Sequence, residues 1–224
     1  MMDTVKSSRR DCLCLNGEWD FMPYLDREAA DELPDPIVYE EEKVCVPSSW
    51  RGFDDKFHIP EYDFAPMDVF AYPKHWAKAE AGLLHRTFRV PEEWKGKKIV
   101  LRCDGVFQKS VIWLDRIKAG TFSEAFLPIC LDITPLVRYG EEQELYVQCG
   151  PFDTVEIPSG ARKTTGLGGN WFGRFARGIW QDIYLSALPF ARVEDVEITT
   201  SVRNGIIEGR ILVENEADTP LCGT

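Results

Sequence analysis

The sequence predicts an all-β protein built as a β-sandwich or jelly roll. Apolar and polar residues alternate with period two in several short segments, most clearly at residues 99–104 and 145–149. Gly, Pro and Asp separate these segments, and helical periodicity is nearly absent, with one or two turns possible only at residues 76–81. Short alternating strands between turn residues are typical of antiparallel sandwiches.

The individual strands follow from the same alternation. Ile183 and Leu185 flank Tyr184, and Val196 and Ile198 flank Glu197. Asn16-Gly17 tolerates positive φ and therefore predicts a tight turn into a strand with Trp19 and Phe21 on one face. Farther on, Asp132 and Thr134 predict side-chain bonds to backbone donors where a strand gives way to a turn, and Gly178 predicts a bulge or a close backbone approach.

Three long loops interrupt the strands. Residues 26–42 carry eight acids and one Arg, and we expect this loop to be solvated and partly unordered. Residues 50–76 are dense in aromatic and charged side chains, and residues 154–177 are rich in Gly and Arg. Loops of this length on a compact scaffold are usually functional.

Composition limits the function classes. The chain has 224 residues, 44% of them hydrophobic and 28% charged, as in an ordinary soluble globular protein. A net charge of −11 argues against a nucleic-acid partner. No apolar run is long enough to span a membrane, and the polar N-terminus does not resemble a secretory signal.

The cysteines and histidines point away from metal and disulfide chemistry. Seven scattered Cys favour reduced thiols, and with only three His the sequence offers no metal site and implies no cofactor. We therefore expect a cytoplasmic protein, although a chain whose export signal had been removed would have the same composition.

A domain boundary is predicted near Pro189. Residues 1–190 would form the sandwich, and residues 191–224 hold two strands that cannot form a sandwich alone. The second unit therefore has the pattern of the opening of another all-β domain. Its exposed strand edges lead us to expect either a homodimer through this tail or a tail folded back on the sandwich.

Six segments, in this order, resemble the N-terminal sugar-binding domain of glycoside hydrolase family 2, which includes β-galactosidases, β-glucuronidases and β-mannosidases. They are Leu15-Asn16-Gly17-Glu18-Trp19-Asp20-Phe21, Val46-Pro47-Ser48-Ser49-Trp50, His85-Arg86-Thr87-Phe88-Arg89-Val90-Pro91, Asp104-Gly105-Val106, Leu131-Asp132-Ile133-Thr134 and Gly178-Ile179-Trp180-Gln181-Asp182-Ile183-Tyr184-Leu185. The resemblance implies a galactose-binding-domain-like jelly roll over residues 13–190, followed by the start of an immunoglobulin-like domain. Many relatives have Asn-Gly after the strand that ends at Leu114, whereas this chain has Asp115-Arg116, which predicts a longer or different turn.

The resemblance also implies what this part of a glycosidase does. In the family two glutamates on a downstream (β/α)8 barrel hydrolyse the glycosidic bond, and nothing in residues 1–224 resembles those barrel motifs. We therefore name no catalytic residue and expect this chain alone to be inactive. The N-terminal domain instead lends loops that contact the terminal β-linked sugar.

The resemblance and the residue types together nominate six sugar-binding candidates. Asp68 lies near the position of a family Asn before Tyr72-Pro73, and Asn170 is the nearest polar residue to a family Asp position that Phe172 occupies here. Asp68 and Asn170, with Arg174 and Arg177, offer hydroxyl-binding groups, and Tyr72 and Trp171 offer flat apolar platforms. Four of them have a structural alternative: Trp171 as packing under its loop, Arg174 and Arg177 as ion-pair partners, and Asp68 as a turn cap.

Two other functions stay open at this point. A free-standing carbohydrate-binding module would bind a saccharide on its own, and a purely structural or assembly domain would bury Asp68 and Asn170 against protein. The sequence does not specify the sugar.

Overall fold

The structure is a computed structural model that describes residues 11–25, 31–50, 72–107, 109–123, 127–150, 154–156, 162–164, 177–217 and 220. Its sixteen strands are β1 Cys12–Cys14, β2 Gly17–Tyr24, β3 Val44–Val46, β4 Ala81–Arg89, β5 Lys98–Cys103, β6 Val106–Phe107, β7 Ser110–Leu114, β8 Ile117–Phe122, β9 Ile129–Asp132, β10 Glu142–Cys149, β11 Thr154–Glu156, β12 Arg162–Thr164, β13 Gly178–Ile179, β14 Ile183–Leu188, β15 Ala191–Ser201 and β16 Ile206–Asn215. Short 3₁₀ helices occupy Lys74–Lys78, Glu92–Trp94 and Thr134–Leu136. The all-β prediction is confirmed.

Two antiparallel sheets form the sandwich. One has six strands in the order β3-β2-β4-β10-β7-β8, and the other has four in the order β1-β14-β5-β9. Ile99, Leu101 and Cys103 are fully buried, and the residues between them on β5 are half-buried, as period-two alternation predicts. They pack with the inward residues of the six-stranded sheet, such as Phe21 and Val147, in one core cluster.

The six-stranded sheet also buries part of its outer face. Tyr24, Leu83, Val111, Trp113 and Tyr146 form a second cluster there. Residues 31–42, which we call the strap, cover it, because Leu33 and Ile37 pack against this cluster. A solvated, partly unordered loop is predicted over residues 26–42. Most acids of the strap are exposed, but Leu33 and Ile37 attach it to the sheet.

The turn between β7 and β8 differs from the prediction. Asp115 and Arg116 alone connect the strands, with φ of 47° and 68°, so the expectation of a longer or different turn is wrong. Both residues adopt the left-handed conformation that Asn-Gly favours in a two-residue hairpin. Tertiary contacts hold Asp115 there: Glu144 N–H donates to its Oδ1 at 2.9 Å, and Gln143 Nε2 donates to its Oδ2 at 2.7 Å.

The hairpin of β15 and β16 pairs only with itself among the described strands. Glu216 links its base to the sandwich, because Lys98 Nζ on β5 donates to the Glu216 carboxylate at 2.6 and 2.9 Å. A groove of about 400 Å³ separates this base from the outer face of the four-stranded sheet. The assignment of residues 191–224 to a second domain stays a prediction.

Candidate functional site

The ends of two long loops meet at one edge of the sandwich. We call this edge, formed by residues 45–50, 72–80 and 177–180, the loop junction. The chain leaves it at Trp50, returns at Tyr72, and later re-enters it at Arg177. Backbone bonds join the parts, since Ser48 N–H donates to Ile179 O at 2.9 Å and Trp50 N–H donates to Arg177 O at 3.3 Å. The junction therefore brings together Trp50 and Tyr72, which flank residues 51–71 in the sequence, and Arg177, which follows residues 165–176.

Tyr72 is fixed at this junction by both its ring and its hydroxyl. Cys45 N–H donates to Tyr72 Oη at 2.8 Å, and Ser48 Oγ lies 2.8 Å from the same oxygen. The Tyr72 ring stacks on Trp76, with 5.2 Å between centroids and 28° between planes. Burial raises the pKa of Tyr72 above its ordinary value, so the phenol is neutral at physiological pH.

Arg177 is buried at the same edge. Its side chain is 3% exposed, and Nη2 lies 3.9 Å from Oε1 of Glu80, whose side chain is 74% exposed. Ser49 Oγ accepts the Arg177 backbone N–H at 2.8 Å. The guanidinium is therefore a buried positive charge at the loop junction, within 3.9 Å of the surface carboxylate of Glu80.

Aromatic rings support the junction from the core. Phe21 of β2 lies between Trp50 and Trp76, at centroid distances of 4.8 and 4.7 Å. Gly178 has φ +101°, and a Cβ built on it would lie 2.9 Å from the Trp50 ring. Only glycine fits this conformation and this approach, which agrees with the close backbone approach predicted at Gly178.

The predicted site residues divide into two groups. Tyr72 and Arg177 lie at the loop junction and both contact the segment 45–50. Asp68, Asn170, Trp171 and Arg174 lie outside the described residues, so their places stay predictions. The alternative of Arg177 as an ion-pair partner agrees with its contact to Glu80, and sugar contact by Tyr72 or Arg177 also stays a prediction.

Ser48, Ser49 and Glu80 were not among the predicted site residues. The serines belong to Val46-Pro47-Ser48-Ser49-Trp50, one of the six segments that carry the family resemblance, and neither was among the six sugar-binding candidates. Their roles depend on which distant segments reach them, so no local signal marked them. Glu80 precedes β4 as one of 37 acidic residues, and nothing in the sequence distinguishes it.

The described residues contain no group of three His, Cys, Asp or Glu side chains placed to hold a metal ion. Within the same residues, no helix is long and apolar enough to cross a membrane.

Comparison with known proteins identifies the family. Residues 13–156 match the family described as glycosyl hydrolases family 2, sugar binding domain. The chain belongs to this family. The predicted resemblance is therefore confirmed, and the matched residues include all six strands of the larger sheet.

Individual family 2 relatives are distant. A β-galactosidase of Priestia megaterium is 24% identical over an alignment 230 residues long. The alignment covers 94% of this chain and 20% of the relative. A β-glucuronidase of Bacteroides fragilis is 23% identical over 182 residues, covering 81% of this chain and 21% of the relative. A solved β-glucuronidase from an uncultured Clostridium species superimposes with a TM-score of 0.65 at 22% identity, covering 96% of this chain and 36% of that one. The chain thus spans about a fifth of the length of these curated relatives.

Proposed function

We propose that this domain forms the non-catalytic edge of the substrate pocket in a longer family 2 exo-β-glycosidase. The observation that carries the proposal is the loop junction, where Tyr72 bonds to Ser48 and Arg177 bonds to Ser49, so that residues next to two long sequence segments lie at one edge of the sandwich. An edge fixed by buried aromatic rings and hydrogen bonds suits recognition of a ligand bound beside the domain.

The residue chemistry of the loops supports a carbohydrate ligand. Asp68, Asn170 and Arg174 supply hydroxyl-binding groups, and Trp171 supplies an apolar surface for the C–H face of a sugar ring. The relatives include enzymes named β-galactosidase and β-glucuronidase, which supports a terminal β-linked sugar as the partner. Retaining hydrolysis needs two carboxyl groups roughly 5 Å apart, and we assign that pair to a part of the enzyme other than this domain.

Three measurements test this proposal. The 224-residue chain should show no turnover of nitrophenyl β-galactoside or β-glucuronide, and weak or no binding of the methyl β-glycosides in titration calorimetry. Tight binding of a free saccharide would instead identify a free-standing binding module. The reading frame past the Thr224 codon should continue into a barrel with two strand-end glutamates, and a stop codon there would overturn the proposal.

Variants in the longer enzyme test the loops directly. Asp68→Ala and Asn170→Ala should each lower kcat/KM by roughly 10- to 100-fold, the cost of a lost hydrogen bond to a substrate hydroxyl. Asp35→Asn is the control, because this exposed carboxyl lies on the strap and not at the loop junction. If Asp68→Ala and Asn170→Ala alter the assembly of the longer enzyme and leave its kinetics unchanged, the domain is purely structural.

We also propose a reducing, cytoplasmic location. Six cysteines of the described residues are free thiols, and two of them, Cys103 and Cys149, are buried in the core. Burial raises the pKa of Cys103 to about 12, so this thiol is inert at neutral pH. Titration of the denatured protein from cells should find seven free thiols, and fewer would argue for an oxidising compartment.

A further inference from the structure

The chain contains two Asn-Gly pairs, which the fold places in opposite environments. Asn16-Gly17 leads into β2, and Asn204-Gly205 lies in the turn between β15 and β16. In such a pair the backbone nitrogen of the glycine can attack the side-chain amide of the asparagine, because glycine has no Cβ to obstruct the approach. The rate of this attack depends on how freely the side chain and the following peptide can rotate toward each other.

Hydrogen bonds hold Asn16 on both sides of the reacting pair. Asn16 Nδ2 donates to Asp182 Oδ1 at 2.8 Å, and Asn16 Oδ1 accepts the Ile183 N–H at 3.0 Å. Arg86 Nη1 donates to the Asn16 carbonyl oxygen at 3.0 Å, and a Cβ built on Gly17 would lie 3.2 Å from the same nitrogen. The side-chain amide and the peptide that follows it are therefore both fixed, and neither can turn toward the other without breaking these contacts.

Asn204 lies in an open turn. Residues 202–205 connect β15 to β16, and all four are exposed. The Asn204 side chain has no hydrogen bond or ion pair within the described part of the chain, and a Cβ built on Gly205 would meet no atom within 4 Å. Gly205 N–H donates to Val202 O at 3.4 Å, which is a long and weak bond. The side-chain amide of Asn204 and the nitrogen of Gly205 are therefore free to approach each other.

We propose that Asn204 is a site of spontaneous covalent modification, converting to aspartate and isoaspartate through a succinimide, while the folded structure protects Asn16. The Gly205 nitrogen loses its proton and forms a bond to Asn204 Cγ, and the carbon–nitrogen bond of the side-chain amide breaks to release ammonia. Water then opens the succinimide ring at either carbonyl. Attack at the side-chain carbonyl gives aspartate, and attack at the backbone carbonyl gives isoaspartate, so water is the only co-reactant.

The modification changes the charge of the hairpin tip and leaves its strands paired. Each conversion adds a negative charge to a chain whose net charge is −11. The ladder of β15 and β16 begins at the pair Ser201–Ile206, outside the turn, and Val202 within the turn is 97% exposed. Exposed loop tips tolerate chemical change because no packed neighbour is displaced. The modified chain therefore keeps its fold.

Peptide mapping of the folded 224-residue chain by mass spectrometry tests the proposal. During incubation at mildly alkaline pH, Asn204 should convert roughly 10- to 100-fold faster than Asn16, the rate penalty of a reacting pair held out of position. In urea the fold no longer restrains either pair, so the two Asn-Gly sites should convert at similar rates. Equal rates in the folded chain, or a difference that persists in urea, would overturn the proposal.

Variants test each site separately. Asp182→Ala removes the acceptor of the Asn16 side-chain amide and should quicken conversion at Asn16 several-fold, with no change at Asn204. The matched control is Gln181→Ala, which truncates the neighbouring exposed residue and should change neither rate. Gly205→Ala places a Cβ beside the attacking nitrogen and should slow conversion at Asn204. An unchanged Asn16 rate in Asp182→Ala, or an unchanged Asn204 rate in Gly205→Ala, would contradict the proposal.

Discussion

Arg116 occupies a backbone conformation that most L-amino acids avoid. Its φ of 68° follows the φ of 47° at Asp115, so two consecutive residues are left-handed in one turn. Such a conformation costs a non-glycine residue roughly 1–2 kcal/mol. The turn persists because Asp115 accepts bonds from β10 and pairs with Arg138 Nη1 at 2.8 Å.

We predict that the unfolding free energy of Arg116→Gly exceeds that of Arg116→Ala by about 1 kcal/mol. In urea unfolding, the glycine variant should therefore have the higher midpoint. Both variants remove the guanidinium and its interaction with Tyr146, so the difference isolates the backbone. Equal stabilities would show that the turn relaxes in the alanine variant.

Tyr72 gives a second residue-scale prediction. Tyr72→Phe removes the acceptor of the Cys45 N–H and should lower the unfolding free energy by about 1–2 kcal/mol. Tyr139→Phe is the matched control, because the Tyr139 hydroxyl makes no hydrogen bond within the described part of the chain. A similar loss in both variants, measured by urea unfolding, would argue against a structural role for the Tyr72 hydroxyl.

At the scale of an element, the β15–β16 hairpin is strongly two-sided. Register and alternation place six aliphatic residues on one face, each at least half exposed: Val193, Val196, Ile198, Ile207, Ile211 and Val213. The opposite face carries mainly charged side chains, including Asp195, Glu197, Glu208 and Arg210. An exposed apolar sheet face of this kind favours association.

We therefore predict that the 224-residue chain self-associates through this aliphatic face, and that Ile198→Asp shifts it toward monomer in sedimentation velocity. Thr199→Asp places the same charge on the opposite face and should leave association unchanged. A strictly monomeric wild-type chain with a protease-labile tail beyond Pro189 would contradict the prediction.

The base of the hairpin should respond to acid. Hydrogen bonds from Lys98 and Arg192 lower the pKa of Glu216, so the contact that holds the hairpin to β5 is complete at neutral pH. It is lost as the pH falls through that lowered value. Hydrogen exchange of β16 should therefore quicken, after intrinsic correction, only when the pH falls below the ordinary range of a glutamate. Glu216→Gln should show the faster exchange already at pH 7, whereas Glu208→Gln should not.

For the whole molecule, the sandwich and the hairpin should differ in their share of stability. Leu101 is fully buried between the sheets, whereas Ile198 is 64% exposed. Leu101→Ala should cost about 2–5 kcal/mol of unfolding free energy, and Ile198→Ala less than about 0.5. A large loss in Ile198→Ala would show that the hairpin belongs to the same cooperative unit as the sandwich.

The fold was largely predictable at this scale because alternation is a local signal. Ile99, Leu101 and Cys103 all point inward as predicted, and Thr134 Oγ1 accepts the Ile99 N–H at 2.8 Å where a side-chain bond was expected. The site was less predictable. Ser49 and Glu80 meet Arg177 from positions about a hundred residues away, and no local pattern encodes such a meeting.

The sequence by itself determined the strands, their buried faces and the family. Period-two alternation and short motifs can be recognised from residues that are neighbours in the chain, without knowing which strands pair. Tertiary structure decided the rest. It forced Asp115-Arg116 into a two-residue turn through contacts from β10, attached an acidic strap to the sheet through Leu33 and Ile37, and gathered the loop ends at Tyr72 and Arg177. Each of these depends on side chains that become neighbours only when distant strands pair.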